Sequence, residues 1–307
     1  MILTLTGNLL AERTLDFGRW SPGRTQRAAA ESFQVGGKGI NVSRMLVRLA
    51  APTSAWCFTG GAAGIECREW LTRTGLPHRA FASAAPTRTG VVIRSLDTAE
   101  TTFLAPDRPV DEAALAACAS ALEVALVPGA LLALCGSFPG WGAPEARALQ
   151  RAVERWINAG KCVVDTYGPP LAWGVERPVA LVKVNRDEFR MLFPEGERDA
   201  PLDALLTRAL ALWPVRAWVI TDGPGAVWLA DAATGPQCLH PPVVREVSPT
   251  GSGDVLLACL LHARENMKLR LAEAVKAALP YAAANAAHPG VADFDLNQLP
   301  TAGSLHP

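Results

Sequence analysis

The stretch "VSPTGSGDVLLACLLHA", residues 247–263, is the most informative part of the sequence. It places a Gly-Ser-Gly turn between a β-like run and an apolar helix, with the carboxylate of Asp254 at the junction. Successive backbone N–H groups at a glycine-rich helix start form a site of positive potential that suits phosphate oxygens. Gly251, Ser252 and Gly253 are therefore predicted to form an anion-binding turn.

Asp254 adds a negative charge to this turn, where it would repel a phosphate that the turn simply held. The charge is useful when the carboxylate accepts a proton from a hydroxyl group that attacks the phosphate. The helix N-terminus would keep this carboxylate ionised. The alternative is that Asp254 only caps the helix, a frequent role for Asp at such positions. The turn alone does not decide between a base and a cap.

Composition limits the kind of protein this can be. The chain has 307 residues, half of them hydrophobic, which is enough for a large core. Lys and Arg number 29 and Asp and Glu also 29, so no net field attracts nucleic acid or anionic membranes, and neither is expected as a partner. The seven scattered cysteines and the lack of a basic, apolar leader predict buried thiols in a cytoplasmic protein.

From about residue 130, short apolar runs alternate with helical patterns. Helices are predicted before Gly160, from about Arg186, and from Leu202 to Trp213, and the intervening strands are "ALLALCGS", "CVVDTY", "VALVKVN" and "AWVITDG". Apolar strands joined by helices predict an α/β fold with a doubly wound, mostly parallel sheet that carries helices on both faces. Ligands of such sheets bind at the carboxyl ends of the strands.

The first third of the chain follows a different pattern. The stretch from Arg13 to Val35 and the stretch "TGVVIRSLDTAETTFL", residues 89–104, alternate like exposed antiparallel strands. We expect a single α/β domain over residues 1–307, with a small β-sheet lid built from discontinuous segments at about 12–35 and 86–105. Such a lid would expose apolar edges, so a homodimer through the lid is also expected.

A second glycine-rich stretch, "VGGKGINVSRMLVRLA" at residues 35–50, also precedes a helix. Gly36, Gly37 and Gly39 permit close backbone approach to a polar ligand, and Lys38 and Asn41 can contact its oxygens. Neither a G-x-x-x-x-G-K-[ST] motif nor a G-x-G-x-x-G motif after a strand is present. The sequence therefore disfavours a P-loop enzyme and a dinucleotide-binding dehydrogenase.

Together the two glycine-rich stretches resemble the ribokinase-like (PfkB) family of carbohydrate kinases. The pattern is most similar to its phosphosugar branch, which includes 1-phosphofructokinase and tagatose-6-phosphate kinase. Further matches follow in the same order, namely "NLLAERT" (8–14), "TRTGVVI" (87–93), "CGSFPG" (135–140), "VKVNRDE" (182–188) and "ITDGPGAV" (220–227). The resemblance implies transfer of a phosphoryl group from ATP, with Mg²⁺, to a hydroxymethyl group of a sugar phosphate.

The resemblance also implies roles for individual residues. Asp254 corresponds to the catalytic base, and the turn before it to an anion hole formed by Gly251, Ser252 and Gly253. Mg²⁺ and phosphates would be held, largely through water, by the N-x-x-E pair Asn185 and Glu188. The alternative for this pair is a polar helix start.

The remaining implied roles concern the two substrates. The nucleotide would be lined by Lys183, Thr221, Gly223, Gly225 and, beside the adenine, Asn285. The alternative for these positions is a turn at a strand end. The sugar would be contacted by Glu12, Gly37, Lys38, Asn41 and Arg88, with Arg27 and Ser137 as further phosphate ligands. A lone arginine such as Arg27 is alternatively a solvated surface residue.

Several positions depart from the phosphosugar pattern. Glu12 stands where the branch usually has an Asp that binds sugar hydroxyls. Gly90 and Leu104 stand where Asn is usual. The stretch "TDGPGA" is one residue shorter than usual. Because of these departures, the motifs do not identify the substrate sugar. A kinase of an unphosphorylated sugar or nucleoside remains an alternative, as does a non-catalytic nucleotide- or sugar-binding module. Convergence of Arg27 and Arg88 on one anion site would favour the sugar phosphate.

Overall fold

Two β-sheets and nine α-helices make up the part of the chain that this computed structural model describes, residues 1–96 and 100–300. Residues 97–99, which belong to the second segment of the predicted lid, lie outside it. The strands are β1 (Ile2–Thr6), β2 (Leu10–Phe17), β3 (Ala30–Gly36), β4 (Thr53–Thr59), β5 (His78–Ala82), β6 (Arg88–Ser95), β7 (Thr101–Leu104), β8 (Leu131–Cys135), β9 (Cys162–Asp165), β10 (Leu181–Asn185), β11 (Ala217–Asp222), β12 (Ala226–Asp231) and β13 (Gly235–Leu239). The helices are α1 (Lys38–Arg48), α2 (Gly61–Arg73), α3 (Glu112–Ala125), α4 (Arg147–Asn158), α5 (Pro169–Val175), α6 (Arg186–Arg190), α7 (Leu202–Leu212), α8 (Ser252–Glu265) and α9 (Leu271–Ala286).

The larger sheet has nine strands in the order β13-β12-β11-β10-β9-β8-β1-β4-β5. The strands from β11 to β5 are parallel, and β12 and β13 extend one edge as antiparallel hairpins. Every residue of β1, β8 and β9 is buried, as the continuous apolar runs predict. Since β1 lies between β8 and β4, the strand order reverses there, and ligands gather at the carboxyl edge of such a switch point.

Helices cover both faces of this sheet. The core on one face includes residues of α3, α4, α5 and α7, together with the fully buried rings of Trp156 and Trp218. The core on the other face is formed with α1, α8 and α9. The prediction of a doubly wound α/β fold is therefore confirmed.

The predicted helix positions in the second half of the chain agree closely with the structure. Helix α4 ends at Asn158, just before Gly160, whose φ of 71° lies in the left-handed region that glycine adopts without strain. Helix α7 begins at Leu202 as predicted. Six of the seven cysteines are buried. Among the described residues, no helix combines the length and the apolar character that crossing a membrane requires.

The smaller sheet has the order β3-β2-β6-β7 and stands apart from the larger one. The pairs β2–β3 and β6–β7 are antiparallel, as expected, whereas the central pair β2–β6 is parallel. The reason is the chain path, because α1, β4, α2 and β5 of the main layer intervene before β6 begins. In this sheet Leu10 pairs with both Gly36 and Arg88, which brings the starts of β2 and β6 and the end of β3 together near the end of β1.

Candidate active site

Polar residues from consecutive strands line the carboxyl edge of the larger sheet. Asn8 follows β1, Ser137 follows β8, Asp165 ends β9 and Asn185 ends β10. In a parallel sheet these strand ends lie side by side, in the order given by the strand pairing. The N-terminus of α8 reaches the same edge, because Asp254 and Lys183 both approach Asp165.

The turn before α8 depends on glycine. Gly251 has a φ of 76°, and a Cβ atom there would lie 2.3 Å from Cγ1 of Val291. Helix α8 begins at Ser252, with Gly251 at the N-cap position and without a side-chain capping bond. The alternative role of Asp254 as a helix cap is therefore wrong. Within the described residues, the N–H groups of Gly253 and Asp254 have no backbone acceptor, which leaves them available to a ligand.

The Asp254 side chain is buried and faces Asn41. Its Oδ2 atom accepts a hydrogen bond of 2.8 Å from Nδ2 of Asn41, and only 6% of the residue is exposed. Burial, followed by the negative charge of Asp165, raises the pKa of Asp254 to about 6, although Lys183 and Lys38 act in the opposite direction. The surroundings as a whole therefore raise this pKa, although a helix N-terminus by itself favours the ionised form. At neutral pH the ionised form still predominates, as a base requires.

Two lysines meet at one fully buried carboxylate. Asp165 Oδ1 accepts a hydrogen bond of 2.7 Å from Nζ of Lys38, and Oδ2 accepts one of 3.0 Å from Nζ of Lys183. Burial opposes the charge on Asp165, but the lysines outweigh it and lower the pKa of the carboxyl group. Burial likewise opposes the charge on Lys38, but Asp165, Glu188 and Asp254 raise its pKa. Asp165 and Lys38 are therefore both charged at neutral pH.

Lys183 lies at the anion-binding turn. A Cβ atom on Gly253 would be 2.7 Å from the Lys183 ammonium nitrogen, so any larger residue at position 253 would displace this group. Lys183 is 3% exposed. The sequence suggested a contact with the nucleotide in general, whereas the structure puts this ammonium group beside the turn and the candidate base.

Asn185 and Glu188 form a capping box at the start of α6. Asn185 Oδ1 accepts from the Glu188 N–H at 2.8 Å, and Glu188 Oε2 accepts from the Asn185 N–H at 3.0 Å. The polar helix start considered as an alternative is thus present. The other Glu188 oxygen, Oε1, lies 3.4 Å from Nζ of Lys38 and so belongs to the charged cluster as well.

The other nucleotide candidates lie on the β11–β12 hairpin, beside the end of β10. Thr221 is near the end of β11, and Gly223, with a φ of 54°, and Gly225 form the turn. An ion pair of 2.8 Å between Arg186 and Asp222 joins this turn to the start of α6. The hairpin and α6 therefore border the carboxyl edge at the β10–β11 end of the cluster.

The expected adenine contact of Asn285 is corrected by the structure. The residue is fully buried, so its side chain cannot face a ligand. Its amide group donates to Thr250 O at 2.9 Å and to Ser252 Oγ at 3.0 Å, and it accepts from the Ala292 N–H at 2.8 Å. Asn285 therefore braces the anion-binding turn from within.

The sugar candidates form a second polar cluster at β1, β8 and the lid. Asn8 Nδ2 donates to Ser137 Oγ at 3.0 Å and to Asp107 Oδ1 at 2.8 Å. Arg88 Nη1 donates to the same Asp107 oxygen at 2.9 Å. The charged cluster around Asp165 is close by, because the Cβ position of Gly136, next to Ser137, lies 3.9 Å from the side chain of Lys38.

Glu12 occupies the floor of the lid above the glycine-rich start of α1. Its Oε1 atom accepts a hydrogen bond from Gln34 Nε2, and its Oε2 atom lies 3.5 Å from the Cβ position of Gly36. Gly37, with a φ of 133°, packs against Thr6 at the N-cap of α1. Glu12 and Gly37 therefore border one space between the lid and the large sheet.

Arg27 is not brought to the site within this chain. It is exposed in the connection between β2 and β3. The site lies at the other end of β3, beside Gly36. The seven residues from Ala30 to Gly36 span about 20 Å of strand. The expected convergence of Arg27 and Arg88 on one anion site is therefore wrong for a single chain, because the hairpin is too long.

Sequence reasoning missed four residues that contribute to these clusters. They are Asn8, Gln34, Asp107 and Asp165. Asp165 had a usable signal, since a carboxylate that ends an apolar strand lies at the ligand-binding edge of a parallel sheet. Asp107 had no such signal, because nothing in "APDRPVD" indicates a partner 19 residues earlier in the chain.

Comparisons with known proteins agree with this geometry. Residues 7–298 match the family described as pfkB family carbohydrate kinase. The 1-phosphofructokinase of Rhodobacter capsulatus is 27% identical over 91% of this chain and 88% of its own, and that of Xanthomonas campestris is 29% identical over 84% and 82%. The fold is similar to the tetrameric inhibited form of phosphofructokinase-2 from Escherichia coli, with a TM-score of 0.80, 21% identity and 93% of each chain covered.

The raised pKa of Asp254 predicts a stability effect with a definite sign. Because the folded-state pKa of about 6 exceeds the unfolded value of about 4, the ionised carboxylate destabilises the fold as pH rises through 6. Asp254→Asn should therefore melt at a higher temperature than the wild type at pH 8, and the difference should shrink towards pH 4. Differential scanning calorimetry measures both temperatures.

The matched control is Asp199→Asn, which removes a fully exposed carboxylate that lies 3.6 Å from Arg190. It should change the melting temperature little at either pH. A wild-type protein that is more stable than Asp254→Asn at pH 8 would contradict the account of this buried charge.

Proposed function

Because the chain belongs to the pfkB family of carbohydrate kinases, we propose that it transfers the γ-phosphoryl group of ATP to a hydroxymethyl group of a sugar phosphate. The observation that carries this proposal is the buried Asp254 carboxylate, which stands at a helix start beside two backbone N–H groups that have no backbone acceptor in the described part of the chain. Two relatives named 1-phosphofructokinase support the choice of a sugar phosphate.

Asp254 is the general base in this proposal. Its carboxylate accepts the proton of the sugar hydroxyl as the new bond to phosphorus forms, and Asn41 holds it in place through the 2.8 Å hydrogen bond. Phosphoryl transfer depends mainly on positioning and charge stabilisation, so a base with a pKa of about 6 is sufficient. A binding module would gain nothing from a negative charge at its phosphate site.

The turn and the lysines stabilise the charge on the transferring group. The N–H groups of Gly253 and Asp254 can donate to its oxygens, and the Lys183 ammonium group lies against the same turn. Lys38 lies between Asp165 and Glu188, with its charge fixed by both carboxylates. The site therefore offers two cations and two backbone donors near the base.

The residues present fit a magnesium ion that is held mainly by water and phosphates. The described residues contain no group of three acidic, histidine or cysteine side chains suited to a metal. Mg²⁺ commonly keeps several waters and binds through one or two carboxylates plus substrate phosphates, and it would neutralise phosphate charge here. Asn185 and Glu188 would hold it through water, with Glu188 Oε1 as the oxygen that the capping box leaves free.

The nucleotide and the sugar would occupy opposite ends of the carboxyl edge. We assign the nucleotide to the β10–β11 end, where Thr221, Gly223 and Gly225 line the hairpin. The sugar belongs between the lid and β1, with Glu12 and Arg88 as its charged contacts. The lid sheet would then shield the reacting groups from water.

A kinase of an unphosphorylated sugar or nucleoside is the second candidate. One specific observation favours it. Arg88, the cation that we assign to the sugar end of the site, already forms an ion pair with Asp107. Arg27 also lies far from the site within this chain. The two candidates share the chemistry at Asp254 and differ only in what the lid end of the site recognises.

A coupled assay for ADP release tests this proposal. The substrates are fructose 1-phosphate, fructose 6-phosphate, tagatose 6-phosphate and the unphosphorylated parent sugars, each with MgATP. We expect turnover with at least one phosphate ester, and Asp254→Asn should lower kcat by roughly 10²- to 10⁴-fold, the usual contribution of a positioned base.

Asp199→Asn serves as the control and should keep wild-type turnover, since its side chain is fully exposed and outside the site. If Asp254→Asn retains kcat within a few-fold of the wild type, Asp254 is not the base. If free sugars turn over as well as their phosphates, the second candidate replaces the first.

We also propose that the lid forms a homodimer interface. Phe103 and Leu104 on the edge strand β7 are 57% and 51% exposed, and an uncovered apolar edge strand is a common site of association. Static light scattering should give twice the chain mass of 32.5 kDa at micromolar concentration. Phe103→Glu should shift this towards the monomer, and a wild-type mass of one chain would refute the dimer.

A further inference from the structure

The contact between Arg88 and Asp107 places an acidic side chain where an anionic ligand would bind. Arg88 Nη1 lies 2.9 Å from Asp107 Oδ1, and Asn8 Nδ2 donates to the same oxygen at 2.8 Å. The Arg88 side chain is 15% exposed and that of Asp107 is 48% exposed. The arginine is thus fixed within the site, while the carboxylate reaches it from the solvent side.

Arg88 retains an unused donor. Its Nε atom is buried and has no hydrogen-bond partner among the described residues. A guanidinium group has five N–H donors in a planar fork, and leaving a buried one unsatisfied is costly. The guanidinium group therefore has donor capacity that the single Asp107 oxygen does not use, and a phosphate with several oxygens can accept more of its hydrogen bonds.

The cavity beside Arg88 is too small for a phosphate group, and Asp107 is not among the residues that line it. The adjoining cavity, bordered by Gly7, Arg88 and Arg108, has a volume of about 20 Å³. Such a cavity holds about one water molecule. A phosphate that binds Nη1 of Arg88 must instead displace the Asp107 carboxylate, which already accepts a hydrogen bond from that atom. Its departure would also raise the local charge, since Arg88 and Arg108 would then lack the nearby carboxylate.

The Asp107 side chain can move while its backbone stays in place. Pro106 and Pro109 flank it closely and fix their own φ angles. Before this segment, the Ala105 N–H donates to Thr89 O at 2.9 Å, which ties it to the lid. Because the Asp107 side chain is half exposed, rotation about its Cα–Cβ bond carries the carboxylate into water.

We propose that Asp107 determines specificity by competing with the substrate phosphate for Arg88. Its carboxylate neutralises the arginine, and a phosphate ester that is also held by sugar contacts displaces it. Small anions without those contacts, such as inorganic phosphate, compete poorly with Asp107 and bind weakly. The identity of the substrate rests on the proposed function, whereas competition for Arg88 does not.

Isothermal titration calorimetry on the full chain tests this competition without turnover. Fructose 1-phosphate and inorganic phosphate are titrated separately into the wild type and Asp107→Asn, in the absence of ATP. Replacing the charge with a neutral amide should lower both dissociation constants by roughly 3- to 20-fold, the range expected for a half-exposed, charge-assisted pair. In the assay, the change should fall on KM for the phosphate ester, with no matching change for fructose.

Three variants make the result specific. Asp199→Asn removes a carboxylate that lies near an arginine elsewhere, at 3.6 Å from Arg190, and should leave both dissociation constants unchanged. Asp107→Ser should tighten phosphate binding as Asp107→Asn does. In an Arg88→Met background, Asp107→Asn should have no effect, because the two residues act on phosphate as a pair.

Equal or weaker phosphate binding by Asp107→Asn overturns the proposal, as does tighter binding that persists in the Arg88→Met background. A rise in KM for phosphorylated and free sugars alike also overturns it, since Asp107 would then bind a sugar hydroxyl directly. If the wild type releases no ADP with any sugar phosphate while Asp107→Asn still tightens phosphate binding, only the proposed function fails.

Discussion

The buried carboxylate of Asp165 is the interaction on which the rest of the site depends. It is fully buried and hydrogen-bonds both lysines, at 2.7 Å to Lys38 and 3.0 Å to Lys183. A buried charge is tolerated only when it is paired and hydrogen-bonded, so the three groups require each other. They belong to α1, β9 and β10, and the network therefore joins the start of a helix to the ends of two neighbouring strands.

This network sets the properties of the candidate base. Burial and Asp165 raise the pKa of Asp254, while Lys183, Lys38 and the hydrogen bond from Asn41 limit the rise. The balance keeps Asp254 mostly ionised at neutral pH, yet far more basic than an exposed Asp. The same balance costs stability, because the fold holds an ionised carboxylate in a poorly solvated place. Such a cost is common at sites that are organised for chemistry.

Local patterns predicted much of this arrangement. The glycine turn at residues 251–253 and the helix behind it were readable because backbone geometry and amphipathic period are local properties. Side chains that interact across long stretches of sequence could not be predicted from local patterns. Lys38 and Asp165 are separated by 127 positions, and only strand order brings them together. Arg27 failed as a site residue because strand length, rather than residue type, decides how far a hairpin carries its tip.

The central claim is that Asp254 acts as a base whose ionisation is set by its buried neighbours, and the pH dependence of kcat/KM tests it most directly. For the wild type, kcat/KM should fall about tenfold per pH unit below a pKa of about 6. Lys183→Met removes a cation that lowers this pKa. In this variant the acidic limb of the pH profile, where kcat/KM falls, should move to higher pH. An ionisation of ATP or of the sugar phosphate would give the same limb in both enzymes. A limb at the same pH in both, or no fall down to pH 5 in the wild type, would contradict the account.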